Sequence, residues 1–222
     1  MHDASHPHSP TKGFRMTFRH PSIRALVLLS FAAALSCTDT TAPDETERAA
    51  TDLRLLAAPY GTPTLANPEV SFYAVKGKNS GVDIWYRPRD GQSDSSKFLE
   101  FRLGGASLDR RPDGSLIAQG DSVLISVSVT DPRHFVIDFQ PSGLRFSAND
   151  LPKLKISFAA CGDDLNYDGR VDGTDASMQA SLSMWRQESP FQPWTKVPSS
   201  VSTSVKDVNA QLSGFTGYAL MW

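Results

Sequence analysis

Twelve consecutive residues, Asp164-Leu165-Asn166-Tyr167-Asp168-Gly169-Arg170-Val171-Asp172-Gly173-Thr174-Asp175, carry a dense set of oxygen donors. Counted from Asp164, the Asp and Asn side chains fall at positions 1, 3, 5, 9 and 12, with glycine at 6. A hard divalent cation of calcium's size takes six to eight oxygens at about 2.3–2.6 Å. Alternate residues on a curling chain turn their side chains inward, so Asp164, Asn166 and Asp168 are expected to converge on one point. Gly169 permits the sharp turn, and the carbonyl of Arg170 supplies a further oxygen. Asp172 is expected to coordinate directly or through water, and Asp175 to close the set. Val171 should point away and anchor the loop to the core, while Asp163 adds negative charge that favours a cation. The competing reading is a solvated Asp/Asn/Gly-rich turn of the kind common between strands. Five fixed identities at roughly 5% each make a chance match improbable. The expected cofactor is therefore Ca2+, with a structural role.

The surroundings of this loop read as β-structure. From Glu69 onward, short runs of alternating apolar residues are separated by Gly, Pro, Asp and Asn. The runs are 70–75, 82–86, 98–103, 123–129, 135–139, 144–146, 154–158 and 208–212. Period-two alternation rich in β-branched and aromatic residues predicts half-buried strands. Turn signals such as Pro112-Asp113-Gly114, Asp131-Pro132 and Pro141-Ser142-Gly143 fall between them. Eight or more short strands over residues 68–222 indicate an all-β fold, an antiparallel β-sandwich holding one calcium-loop insertion at 164–175. Directly after the loop, Met178, Ala180, Leu182 and Met184 alternate, which fits a strand; a helix starting at Asp175 is the other reading.

Two resemblances bear on these residues. An EF-hand normally places a bidentate Glu at position 12. Asp175 there is similar to the dockerin version of the loop, matched at every ligand position. A dockerin continues with a helix and a second loop, and no second Asp-x-Asn-x-Asp-Gly occurs here. The unpaired loop thus points to a calcium clip within a β-domain. The order of the strands resembles the ZU-five family of tight-junction scaffolds, netrin receptors and ankyrins, an immunoglobulin-like sandwich. The likeness rests on Leu103-Gly104-Gly105-Ala106-Ser107-Leu108, on Phe139-Gln140-Pro141-Ser142-Gly143-Leu144-Arg145-Phe146 followed by Leu154-Lys155-Ile156, and on Trp194 to Ser199 with Leu212 to Ala219. Some members of that family cut their own backbone at a His-Phe-Ser step. The matching positions here are Gly214, Phe215 and Thr216; the hydroxyl is kept and the histidine is not, so self-cleavage is not expected. The resemblance implies a binding or scaffolding module.

The N-terminal segment implies where the protein works. Residues 25–35 read ALVLLSFAAAL, too short for the roughly 20 apolar residues of a membrane span and suited to a signal peptide. Arg19, His20 and Arg24 form its basic flank, and Met16 makes a more typical start than Met1. Ala34-Leu35-Ser36-Cys37 resembles the lipobox of bacterial lipoproteins, in which the cysteine is acylated. The expected organisation is a signal peptide over 1–36, lipidated Cys37 with a disordered tether over 37–67, and the β-domain over 68–222. Leu53 to Pro59 is the one tether stretch expected to dock on the domain or form a brief helix. Thr38 after the cysteine favours the outer membrane by analogy with Gram-negative sorting, so a lipid-anchored place in the cell envelope is expected.

Composition excludes several classes. The full chain has 22 basic and 24 acidic residues; without 1–36 these become 18 and 23, a net charge of −5. Such a balance gives no electrostatic case for nucleic acid. Outside the leader His134 is the only histidine, which excludes a His-rich zinc site. If Cys37 is lipidated, Cys161 is the only remaining thiol and no intrachain disulfide forms. Ser142 lacks the nucleophile-elbow context, and nothing places Asp94 beside Glu100 as a carboxylate pair. Trp85, Trp185, Trp194, Trp222, Tyr73, Tyr86 and Tyr218 are expected to pack the core rather than form a sugar platform. The sequence therefore favours a non-enzymatic, surface-anchored, calcium-holding module with an unidentified protein partner. The alternative is a polysaccharide-associated module, dockerin-like or carbohydrate-binding.

Overall fold

The computed structural model describes residues 47–49, 52–89 and 95–222; residues 1–36, expected to be a signal peptide, and Cys37 and Asp94 lie outside them. Strands outweigh helix, 44% to 7%, and every strand pair is antiparallel, so the chain is all-β. In chain order the strands are β1 (Glu47–Arg48), β2 (Glu69–Val75), β3 (Ser80–Trp85), β4 (Lys97–Leu103), β5 (Leu108–Arg110), β6 (Ser122–Asp131) and β7 (Val136–Gln140). There follow β8 (Arg145–Phe146), β9 (Lys153–Ser157), helix α1 (Gly173–Ser181), β10 (Ser183–Gln187), β11 (Trp194–Val197), β12 (Ser199–Ser202), β13 (Asp207–Gln211) and β14 (Gly217–Met221).

The strands form a seven-stranded sheet, ordered β1-β11-β10-β14-β7-β6-β2, and a five-stranded sheet, ordered β12-β13-β9-β4-β3. A small pair, β5-β8, stands apart. Alternation puts one face of each sheet inside. Along β6, Val123, Ile125, Val127 and Val129 are buried, whereas Ser122 and Leu124 between them face solvent. The two inner faces meet through aromatic rings: Phe101 of β4 lies 5.1 Å from Phe139 of β7, and Phe98 of β4 stacks on Phe135 at 5.6 Å. Phe215 bridges the same cluster, 5.7 Å from Phe101 and 5.0 Å from Phe139. Burying each such ring contributes roughly 1.5–3 kcal/mol, so this seam holds the two sheets together.

The strand runs read from alternation fall on β2, β3, β4, β6, β7, β8, β9 and β13. After the loop the chain is helical, not extended: α1 covers Gly173–Ser181 and the strand begins only at Ser183. Met178 and Leu182 are both buried, four residues apart, so a period that looks alternating also fits one helical turn.

The segment before β2 docks over the expected stretch Leu53 to Pro59, and the docking extends beyond it to Leu65. Leu56, Ala58 and Leu65 are buried, and the Leu56 N–H donates to Leu220 O at 3.0 Å. Leu53 and Leu55 pack on a second apolar cluster of Trp185, Trp194, Ala219 and Met221. These residues form no helix: Leu53 and Leu55 cover the outer face of the seven-stranded sheet, while Leu56 and Leu65 join the main core. The tryptophans and tyrosines divide between core and surface. Trp185, Trp194, Tyr86 and Tyr218 are buried, and Tyr73 and Trp85 are exposed. His134 has a partner the sequence did not reveal: its Nδ1 lies 2.7 Å from Asp131 Oδ2 in the turn between β6 and β7. Partial burial pushes the Asp131 carboxyl up, and the hydrogen bonds from His134 and Arg133 more than offset it, leaving it below the usual range.

Candidate metal centre

The loop from Gly162 to Asp172 carries the chain from β9 in the five-stranded sheet to α1 and β10, which belongs to the seven-stranded sheet. Its course is set by short side chains that satisfy the backbone locally. Asn166 Oδ1 accepts from the Asp168 N–H at 2.9 Å, and Asp168 Oδ1 accepts from the Arg170 N–H at 2.9 Å. Asp164 Oδ2 accepts from the Gly169 N–H at 2.9 Å, closing the curl. Tyr167 and Gly169 both have positive φ, 58° and 84°, so the turn needs glycine at position 6, as the spacing implied.

The two C-terminal candidate ligands are placed by the helix. Asp172 caps α1, accepting from the Thr174 N–H at 2.7 Å, and Asp175 completes a reciprocal capping box by accepting from the Asp172 N–H at 2.9 Å. Asp175 is buried and its other oxygen reaches back to the N–H groups of Leu165, at 2.7 Å, and Asn166, at 3.3 Å. These donors, the Asp172 N–H foremost, hold the Asp175 carboxyl below the usual range against the opposing effect of desolvation. The D-x-x-D spacing carried this second role in the sequence, where it went unread.

The structure thus brings Asp164, Asn166 and Asp168 together around one turn and tucks Asp175 beneath it, while Asp172 stays at the helix start. Among the described residues no three His, Cys, Asp or Glu side chains are gathered about one point. The donor chemistry nonetheless fits a hard cation: carboxylates, an amide oxygen and the Arg170 carbonyl, with no His or thiol. One atom speaks to the fit directly. Asp164 Oδ1 is buried and has no hydrogen-bond partner. None of Asp164, Asp168, Asp172 and Asp175 forms an ion pair among the described residues. Asp163, expected to add negative charge, is neutralised by Lys206 Nζ at 2.6 Å.

The loop is anchored differently from expectation. Val171 is 69% exposed and holds nothing, whereas Leu165 is buried at 4% and fixes the loop to the core. Tyr167 donates its hydroxyl to the carbonyl of Ala57 in the docked N-terminal segment. Cys161, immediately before the loop, is buried, and desolvation raises its thiol to about 11, so it is not a reactive thiolate. Desolvation likewise raises the Tyr167 phenol.

The remaining candidates are structural. Thr216 is buried with its hydroxyl donated to Gln187 O, and Tyr218 donates to Gly214 O at 2.6 Å. Glu100 pairs with Lys97 at 2.7 Å and Arg102 at 3.6 Å. Comparison of the chain with protein-family models, curated proteins and solved structures returned no match.

Proposed function

We propose that loop 164–175 binds one calcium ion and that the ion serves as a structural staple in a non-enzymatic, envelope-anchored interaction module. The observation that carries the metal reading is the buried, unpartnered Asp164 Oδ1 in a loop where Asp168, Asp172 and Asp175 form no ion pair among the described residues. An unsatisfied buried carboxylate oxygen is costly, and a bound cation removes that cost. Asp164, Asn166, Asp168, Asp175 and the Arg170 carbonyl would hold the ion, with Asp172 contributing directly or through water. The ion would supply charge neutralisation and fix the crossing between the two sheets. The structural role is favoured over a docking role because the loop is single and its helix runs at once into β10.

Lipid anchoring at Cys37 and a protein partner belong to the same reading. They rest on the lipobox resemblance and on the ZU-five-like order of strands, not on the loop. The test of the metal claim is thermal unfolding with excess calcium and with chelator. Calcium is expected to raise Tm, and Asp164→Ala or Asp168→Ala to abolish the rise. Coincident melting curves for the unaltered protein in the two conditions would end the proposal.

A further inference from the structure

A second charged region lies away from the loop. An open groove of about 960 Å³ runs across the five-stranded sheet and onto β10 and β11. Its charged lining is Arg102, Lys153, Lys155, Arg186 and Lys196, against the single acid Glu100. Five cations and one acid on a chain that carries an acidic excess overall is a concentration that calls for a cause.

Pairing inside the protein accounts for only part of it. Arg102 meets Asp83 at 2.7 Å, Arg186 meets Glu188 at 2.9 Å, and Lys155 meets Asp207 at 3.9 Å. Lys153 and Lys196 are exposed and make no ion pair among the described residues. The strand register sharpens the point. Arg102 of β4 sits directly opposite Lys153 of β9, and the next residue in the row is Gln211 of β13. Two like charges facing each other across an antiparallel pair destabilise a sheet. Asp83 and Glu100 offset the Arg102 charge, so Lys153 is the member of the row left without an anion.

The rest of the lining identifies the kind of anion. Ser199, Ser200, Asn209 and Gln211 offer hydroxyls and amides, donors and acceptors suited to a hydroxyl-rich ligand. The only aromatic residue in the lining, Tyr218, is buried, so no ring is available to stack a nucleobase. Of the apolar lining side chains, Leu154, Val197 and Ala210 are buried, while Leu151 and Pro198 stay accessible at the groove surface. A volume of this size exceeds what one phosphate or carboxylate needs and accommodates an oligomer. Neighbouring strands lie about 4.8 Å apart, a repeat close to that of one sugar ring.

We infer that this groove binds an acidic oligosaccharide, with uronate-type carboxylates or sulfates seated on Lys153, Lys196 and the Arg102 row. The inference does not depend on calcium in the loop. The same chain would then carry a staple at one place and a recognition surface at another.

The test is fluorescence anisotropy of the full chain with labelled oligogalacturonate six residues long, at low and moderate salt. A neutral hexasaccharide, single-stranded DNA and a poly-glutamate peptide serve as comparators. The oligogalacturonate is expected to bind more tightly than all three, with affinity falling as salt rises. The double variant K153E/K196E should weaken it at least tenfold while its melting curve stays cooperative. The neutralising pair K153Q/K196Q gives the same reading if the charge reversal fails to fold. Absence of binding, equal binding of the neutral sugar, tighter binding of DNA or peptide, or unchanged affinity in the folded variant overturns the inference. Repeating the titration with chelator separates the two claims, since loss of the calcium effect leaves glycan binding in place.

Discussion

The acidic loop and the basic groove are both concentrations of one charge sign, and they are built in opposite ways. The loop draws its donors from twelve consecutive residues, Asp164–Asp175, and each short side chain satisfies a backbone N–H within a few positions. The groove draws its cations from four strands separated by up to 94 positions in sequence, from Arg102 to Lys196, and only the sheet order brings them together. The loop's charges are therefore partly spent on holding its own shape. The groove's charges are only partly balanced within the sheet: Lys155 faces Glu100, whereas Lys153 faces Arg102. A local charged motif can hold its own shape, whereas a cross-strand cluster depends on acids brought in from other strands, as Asp83 and Asp207 are for Arg102 and Lys155.

The largest effect that would sharpen this contrast is at Asp175. Because its carboxylate accepts from three backbone N–H groups and closes the helix cap, Asp175→Ala should lower Tm even in chelator. Asp168→Ala, which removes two local hydrogen bonds of an exposed side chain, should lower it less under the same conditions. For a chain of this size each kcal/mol corresponds to about 2–4 °C, so differential scanning calorimetry separates the two. Unchanged Tm for both variants in chelator would show that the loop has no structural role apart from metal.

A smaller effect is expected on the groove side as pH falls. The Lys97 hydrogen bond, then Arg102 and Lys155, hold the Glu100 carboxyl below its usual range, against the opposing effect of desolvation. A depressed folded-state pKa contributes stability that is present above the unfolded value, about 4.3, and disappears as pH drops through the folded value. Chemical denaturation from pH 6 downward should therefore show a steeper acid limb in the unaltered protein than in Glu100→Gln. Matching acid limbs would remove Glu100 from the account. Smallest of all, Lys153→Glu should stabilise the fold by about 0.2–1 kcal/mol, because an opposite-charge pair with Arg102 replaces a like-charge one. A loss of stability would mean that Lys153 is there for packing, and the contrast between the two regions would fail.

Legibility in the sequence follows the same division. β4, β6 and β9 were readable because one face is buried and the other wet, which imposes alternation. β14 carries no such pattern: Tyr218, Ala219, Leu220 and Met221 are all buried, since the strand is central and Leu53 and Leu55 cover its outer face. The same covering explains why composition marks only Leu53 to Pro59 of the segment before β2 as able to dock, and leaves Leu65 unread. Its few leucines count only once Trp185 and Trp194 are known to wait for them. The loop's spacing announced its glycine turn and its donor set, but not the exposed Val171 or the buried Leu165, which depend on how the loop meets the core. The groove left no local trace at all, because register, not sequence proximity, assembles it.

The hydrogen bond from Tyr167 to the Ala57 carbonyl has a mechanical side. Any load entering from the N-terminal direction reaches the domain at β1, paired with β11, and then runs along the seam formed by Leu55 opposite Met221 and Leu56 bonded to Leu220. Short antiparallel contacts of that kind peel one after another. Tyr167 grips the seam at its far end and ties it to the loop, so the rigidity of the loop sets how far the peel travels before it meets a hard stop.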